Sequence, residues 1–348
     1  MKKIIALNIL IMSALTIYAQ DPHFSQFYES NILRNPALTG IYSGDYKCNI
    51  QYRNQWNSVA IPFQTILCSV EAKKSLSKDG GDFISFGLLT TIDKAGTISM
   101  NNTQVYSSIN YNKLLEETHF TYLSIGFAGG FIQRSFNSSK IILDNQYQNG
   151  SVNTSVGEGF NNAAFSHFDI GAGVSLNGAI GYQNKANYYI GVGVYHINKP
   201  DETFLNQSFV KLNRKWSAHA GFKSNIGSNL SLTLLTNYTY QHPFKELIIG
   251  GLINYKPINV INNKNKVVVS LGIFNRIEDA YIGVVKLDFK KYAIGMSYDA
   301  THSKLQNYNN SFGGLELSIT VKGFYKQPTN HTLMRCPQFE DIFEPDAY

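Results

Sequence analysis

The sequence predicts an all-β fold, a transmembrane antiparallel β-barrel of about 14 strands. Three observations carry that prediction. From Asp45 onward, side chains alternate between apolar and polar in runs of about ten residues, the period of a strand with a different solvent on each flank. Tyr and Phe number 22 each while charged residues make up only 16% of the chain, against about a quarter in soluble proteins. Past residue 19, finally, no stretch approaches the ~20 apolar residues that a spanning helix needs, so residence in a membrane falls to strands.

The chain begins with Lys2 and Lys3, an apolar run from Ile4 to Ile17, and Ala19. That order reads as a secretory signal over 1–19, with the mature chain starting near Gln20 outside the inner membrane. The next segment, 20–43, predicts a short helix. Asp21-Pro22 suits a helix start, Phe24, Phe27, Tyr28 and Ile32 fall at helical spacing, and Asn35-Pro36 ends it because Pro disfavours a helical residue before it. Two placements stay open for this segment: a helix packed on the surface of its own barrel, or a plug or partner-binding element.

The barrel is expected over 44–322. Tyr46, Cys48, Ile50 and Tyr52 share one face of the first strand, and Lys47, Asn49, Gln51 and Arg53 the other. The second sets Ile66, Cys68, Val70 and Ala72 against Leu67, Ser69, Glu71 and Lys73. The pattern repeats through Ile84 to Ile92, Val105 to Tyr111, Leu123 to Phe131, Phe168 to Leu176, Tyr188 to Val194, Trp216 to Ile226 and Leu230 to Tyr240. It blurs near 246–255, 266–275 and 280–288, then sharpens at Tyr292 to Tyr298 and Leu315 to Val321. Connections alternate short and long, with the two longest near Ser135 to Ala164 and Asn198 to Asn213. An even strand count puts both ends, including a polar tail over 323–348, on the side of the short turns, which is periplasmic in such barrels.

The inward set is mainly basic: Lys47, Arg53, Glu71, Lys73, Lys215, Lys223, Glu316 and Lys322. A solvated wall with internal ion pairs and a cradle for an acidic partner both explain it. Gly171 with Gly173 and Gly191 with Gly193 lack the strand, turn and helix of a phosphate loop. Their spacing puts each pair on the lumen face, where a missing side chain permits curvature or close approach of another backbone. Gly126 and Gly130 add to that space.

Catalytic and metal chemistry find little support. The histidines form no pair at helical metal-binding spacing, and Cys48, Cys68 and Cys336 are an odd set without ligand spacing. The cysteines read as small apolar residues, with a Cys48 to Cys68 bridge as the alternative. Asp93, His196, Asp201, His242, Asp279 and His302 fall near the outer rim, the one place where acid and imidazole groups meet in barrel enzymes. The formal charge of +6 is spread singly along the chain, unlike a nucleic-acid surface. A non-enzymatic protein without cofactor is the expectation.

Three motifs in order, QDPHFSQF (Gln20 to Phe27), NPALTG (Asn35 to Gly40) and YRNQW (Tyr52 to Trp56), resemble the PorP/SprF family of type IX secretion membrane proteins. Weaker matches follow at Asp93 to Gly96, Ser297 to Asp299, Gly313 to Ser318 and Arg335 to Phe339. The resemblance implies an outer-membrane barrel of a Gram-negative bacterium, without catalytic residues, in the secretion and gliding machinery. It implies a partner barrel that helps export or anchor a large surface adhesin by binding its C-terminal domain, without cofactors and in contact with other secretion components. The candidate partner-binding positions are Asp21, Pro22, Phe24, Phe27, Asn35, Pro36, Arg53, Trp56, Gly171, Gly173, Gly191 and Gly193. A porin-like diffusion channel for small, mainly anionic solutes is the alternative, drawn from the basic lumen.

Overall fold

The computed structural model describes residues 21–55, 61–76, 81–141, 147–148, 151–152, 163–181, 185–204, 210–257, 267–303 and 312–325. The expected signal over 1–19, Trp56, Cys336 and the expected tail beyond residue 325 lie outside the described residues.

The strands are β1 (Tyr46–Gln55), β2 (Phe63–Ser75), β3 (Phe83–Ala95), β4 (Met100–Glu116), β5 (Thr121–Ser135), β6 (Tyr147–Gln148), β7 (Ser151–Val152), β8 (Ala164–Ile180), β9 (Ala186–Tyr195), β10 (Lys215–Asn225), β11 (Leu230–Gln241), β12 (Phe244–Tyr255), β13 (Val267–Arg276), β14 (Ala280–Phe289), β15 (Tyr292–Thr301) and β16 (Phe312–Gly323). β6 and β7 pair only with each other, in the connection between β5 and β8. The remaining 14 close into one antiparallel barrel. Closure joins β1 to β16, from Tyr46 opposite Gly323 to Gln55 opposite Gly314. A closed sheet leaves no unpaired edge, which hydrocarbon demands because it offers no partner to a free N–H or C=O.

Alternation does what its period requires. Ile50, Phe127, Phe131, Ile190, Ile253, Leu271, Met296 and Ile319 point outward and are exposed, while Lys47, Asn49, Gln51, Arg53, Glu71, Asn110 and Glu316 point inward and are buried. The apolar outside is the lipid-facing surface. Trp216, Tyr240, Tyr255, Tyr281, Tyr292 and Tyr298 are exposed near strand ends, the place for rings that meet both hydrocarbon and water.

The two mouths differ. One carries the start of β1 and the end of β16 with the shorter turns; it is called here the terminal mouth. The other carries the connections 136–163 and 196–214 and is called the loop mouth. The three blurred segments are ordinary strands, β12, β13 and β14. Their inward faces carry Ile248, Leu252, Phe274, Ile282 and Val284, all buried, so the expected apolar-out, polar-in contrast disappears there. An apolar lumen wall needs an apolar partner inside.

The expected short helical segment is present but broken into turns: 3-10 turns at Phe27–Glu29 and Pro36–Leu38 flank one α-helical turn, Asn31–Arg34. Cys48 and Cys68 are free thiols, as the reading of them as small apolar residues has it, and the alternative bridge is not formed. The hairpin register sets Cys68 opposite Ile50 and Cys48 opposite Val70, so the two thiols lie on the lipid face one pair apart.

Candidate functional site

The N-terminal segment runs through the barrel. Phe24, Phe27, Ile32, Ala37 and Leu38 are among its buried apolar residues, and Ser25, Gln26, Glu29, Asn35 and Thr39 are buried with them. Of the two placements open from sequence, the segment is a plug and not a surface helix. Its polar groups explain why no long helix forms, because wall side chains take the backbone groups that a helix would use.

The path begins at the loop mouth. The Asp21 carboxylate lies 3.0 Å from His196 Nε2 and 3.2 Å from Lys215 Nζ. The other imidazole nitrogen, Nδ1, lies 3.0 Å from Asp169. His196 directly follows β9 and takes a left-handed backbone, φ 57°, which non-glycine residues rarely adopt. Burial opposes its charge, yet Asp21 and Asp169 outweigh that cost and push its pKa up to about 9. Both ends of the chain were expected at the terminal mouth; the first described residue instead sits at the opposite mouth from Tyr46, because the plug traverses the lumen.

Deeper in, Ser25 and Gln26 dock on β1, β13, β15 and β16. Their backbone N–H groups donate to the two carboxylate oxygens of Glu316, at 2.8 and 2.9 Å. Ser25 Oγ donates to Asp299 at 2.7 Å and accepts from Arg276 at 2.8 Å. Arg53 bridges Asp299 at 2.8 Å and Glu316 at 3.0 Å. Two guanidinium groups and two carboxylates thus close around one serine, all nearly without solvent exposure. Isolated, each charge would cost several kcal/mol to bury; as a network they compensate one another.

Glu29 follows, with Lys286 at 2.7 Å, Lys47 at 3.9 Å and the Thr320 hydroxyl donating at 3.0 Å. Phe27 meets Phe274 edge to face and joins the apolar patch of β12 to β14 together with Leu38. Tyr195 donates to the Ile32 carbonyl.

The second docking ground is β2 to β5, β8 and β9. Asn35 caps its own 3-10 turn by accepting from Ala37 N at 2.8 Å and donates to Val174 O at 3.2 Å. Asn110 donates to Ala37 O and Thr39 O, at 2.9 and 2.7 Å. Thr39 and Ser108 hydroxyls stand 2.9 Å apart, Gly40 N donates to Glu71 at 2.8 Å, and Lys73 donates to Gly40 O and Tyr42 O. Here the inward glycines find their reason. A Cβ at Gly126 would overlap the backbone of Pro36 and Ala37, one at Gly173 the Asn35 amide, and one at Gly193 would touch Arg34 O and the Asn35 backbone.

The structure therefore brings Asp21, Pro22, Phe24, Phe27, Asn35, Pro36, Arg53, Gly173 and Gly193 together in one interface, that between the plug and its own wall. Gly171 and Gly191 are on the same inward face but adjoin the wall residues Tyr195 and His219. Sequence reasoning missed Glu29, Asp299, Arg276 and Asp169. The inward position of Asp299, opposite a lipid-facing Tyr298, was the available signal.

The rim acids and histidines have separate partners. Asp93 accepts from Thr65, Asp201 pairs with Lys211 through the backbone only, as an isolated β-bridge, His242 lies near Tyr240, Asp279 pairs with Arg276 and the His302 ring lies tilted against Tyr281. Among the described residues no group of His, Cys, Asp or Glu is placed to hold a metal ion.

The chain matches the family model described as type IX secretion system membrane protein PorP/SprF over residues 16–320. No curated protein matches the chain. Solved structures similar in architecture include CdiB from Acinetobacter baumannii, at 8% identity and a TM-score of 0.40, covering 80% of this chain and 60% of that one. The CymD monoaromatic hydrocarbon channel gives 9% identity and 0.45 over 85% of this chain and 93% of that one. BamA from Haemophilus ducreyi lacking POTRA domains 1-3 gives 9% and 0.37 over 80% and 70%.

Proposed function

The chain belongs to the PorP/SprF family of type IX secretion system membrane proteins, and from that premise we propose that it is a non-enzymatic outer-membrane partner barrel that binds the C-terminal domain of a large secreted adhesin. The observation that carries the reading is the plug. A lumen crossed by residues bonded to nearly every part of the wall is unsuited to threading a polypeptide, so the adhesin domain is engaged at the loop mouth while another component conducts it. The long connections 136–163 and 196–214 supply the surface, with the loop mouth facing outward and the shorter turns facing the periplasm, in keeping with such barrels. The plug's share in this is to hold the mouth in shape: Asp21 ties together His196, Lys215 and Gln241, which border the connections after β9 and β11.

The same contacts weigh against a wide diffusion channel, since the basic wall seen in the sequence is turned on the plug's own carboxylates and carbonyls. Deleting the protein in its native host tests the proposal, with surface display of each type IX cargo read by immunolabelling. Loss of one adhesin from the surface with general secretion intact supports it. Unchanged display of every adhesin refutes it.

A further inference from the structure

Arg34 stands where two interior cavities meet. One, of about 40 Å³, opens toward the loop mouth beside Asp21, Lys215, Asn237, Gln241 and Glu246. The other, of about 70 Å³, lies toward the terminal mouth beside Tyr28, Lys223, Asn254, Lys286 and Asp288. At roughly 10–15 Å³ per water, each holds a few waters. Arg34 lines both. So does β11: its successive inward residues Thr233 and Leu235 border the second cavity, and Asn237, Thr239 and Gln241 the first. The plug touches this strand where Leu235 packs with Phe27 and Leu38 and where Asp21 N–H donates to Gln241, and the two cavities flank the Leu235 contact.

We infer that the two cavities form a narrow hydrated route for small inorganic anions, sealed at Arg34 and opened by movement of that side chain while the plug stays in place. The seal is local. Arg34 donates to Asn31 Oδ1 at 2.9 Å, within its own helical turn, and across the gap to Tyr189 Oη at 3.3 Å, a long bond. Its Nε–H has no acceptor among the described residues, and the guanidinium lies 5.5 Å from the Phe27 ring centre and 6.0 Å from that of Tyr189. Swinging it aside breaks one weak bond to the wall. Expelling the plug breaks the Ser25, Glu29 and Asn35 contacts together.

The charge selects the ion. The second cavity carries Arg34, Lys223 and Lys286 against Asp288, with Glu29 paired to Lys286; one cationic group remains in excess in a confined space, which favours anions. The route stands apart from the adhesin reading, because it is tested on purified protein with no partner present.

The full-length protein in planar bilayers under potassium chloride, wild type against Arg34→Ala and the conservative Tyr189→Phe, decides the matter. Wild type is expected to be silent. Arg34→Ala is expected to give steady currents at least tenfold above it with chloride preferred over potassium, and Tyr189→Phe brief openings of the same preference. Repeating the recording with the plug tied to the wall by a Thr39→Cys, Ser108→Cys disulfide separates this route from plug loss: the currents persist. Silence of both variants in barrels shown to be folded by heat-modifiable gel mobility overturns the inference, as does a current that the disulfide abolishes.

Discussion

The wall of this barrel has two arcs that hold the same plug by different physics. β1 to β5, β8, β9, β15 and β16 present charges, amides and glycines cut to the shape of the segment's backbone, as in the Arg53, Asp299 and Glu316 cluster and at Gly126, Gly173 and Gly193. β11 to β14 present Leu235, Leu252, Phe274, Ile282 and Val284 to Phe27 and Leu38. The first arc fixes position, since hydrogen bonds and close approaches tolerate little displacement. The second adds, beside the directed contacts of Arg276 with Ser25 and Lys286 with Glu29, apolar adhesion that has no direction of its own. That division predicts unequal responses to mutation.

The largest effect is expected on the directional side. Arg53→Met leaves the Asp299 and Glu316 carboxylates short of a cation in a dry setting, a loss of about 3–5 kcal/mol by the usual cost of breaking a buried pair, measured as a lower urea midpoint of the folded barrel in lipid. A loss below about 1 kcal/mol would place the cluster in water. Next, Gly126→Val drives a side chain into Pro36 and Ala37, with ~1–3 kcal/mol of overpacking relieved by release of the segment. Limited proteolysis then cuts within residues 30–40 while the barrel resists. On the adhesive side Phe274→Leu keeps most of the volume and costs less than about 1.5 kcal/mol, with the plug still protected. Were it to free the plug as Gly126→Val does, the distinction between arcs would fall.

The smallest effect is local and pH-dependent. His196 is held charged by Asp21 and Asp169, its pKa raised from 6.5 to about 9. A raised value means that the stabilisation is complete below about pH 6.5 and fades as pH climbs through about 9. Cysteine accessibility at an Asn237→Cys probe beside Asp21 is expected to increase across that window, and the increase to vanish in His196→Gln. A probe that is equally accessible at pH 6 and pH 10 would contradict the pairing.

Much of this architecture was legible in the sequence because lipid imposes a period of two on every spanning strand. Ile50 against Gln51, or Phe127 against Ala128, announces which flank is which. The reading blurred at β12 to β14, where Ile248, Leu252, Phe274 and Ile282 are apolar on the inward face too. Those residues were the best sign of an occupied lumen, since a wet one gives Phe274 no reason to be there. The plug's own conformation was illegible for a different reason. Helical spacing of Phe24, Phe27 and Ile32 reflects two separate clusters, one holding Phe24 and Ile32 and the other Phe27, with the N–H groups of Ser25 and Gln26 given to Glu316, and no local rule foresees a carboxylate some 290 residues away. The glycines at 126, 173 and 193 did mark a close approach; what approaches them, Asn35 to Ala37, required the fold.

The account rests on the segment 21–45 lying inside the barrel, and the Thr39 to Ser108 contact, 2.9 Å between hydroxyl oxygens, gives it a direct test. With Cys48, Cys68 and Cys336 changed to Ser, the pair Thr39→Cys and Ser108→Cys is expected to form a disulfide on mild oxidation of intact outer membranes, seen as a mobility shift that reductant reverses. Two thiols that stay free and label with a membrane-permeant maleimide, in a barrel that still shows its folded mobility, would contradict it.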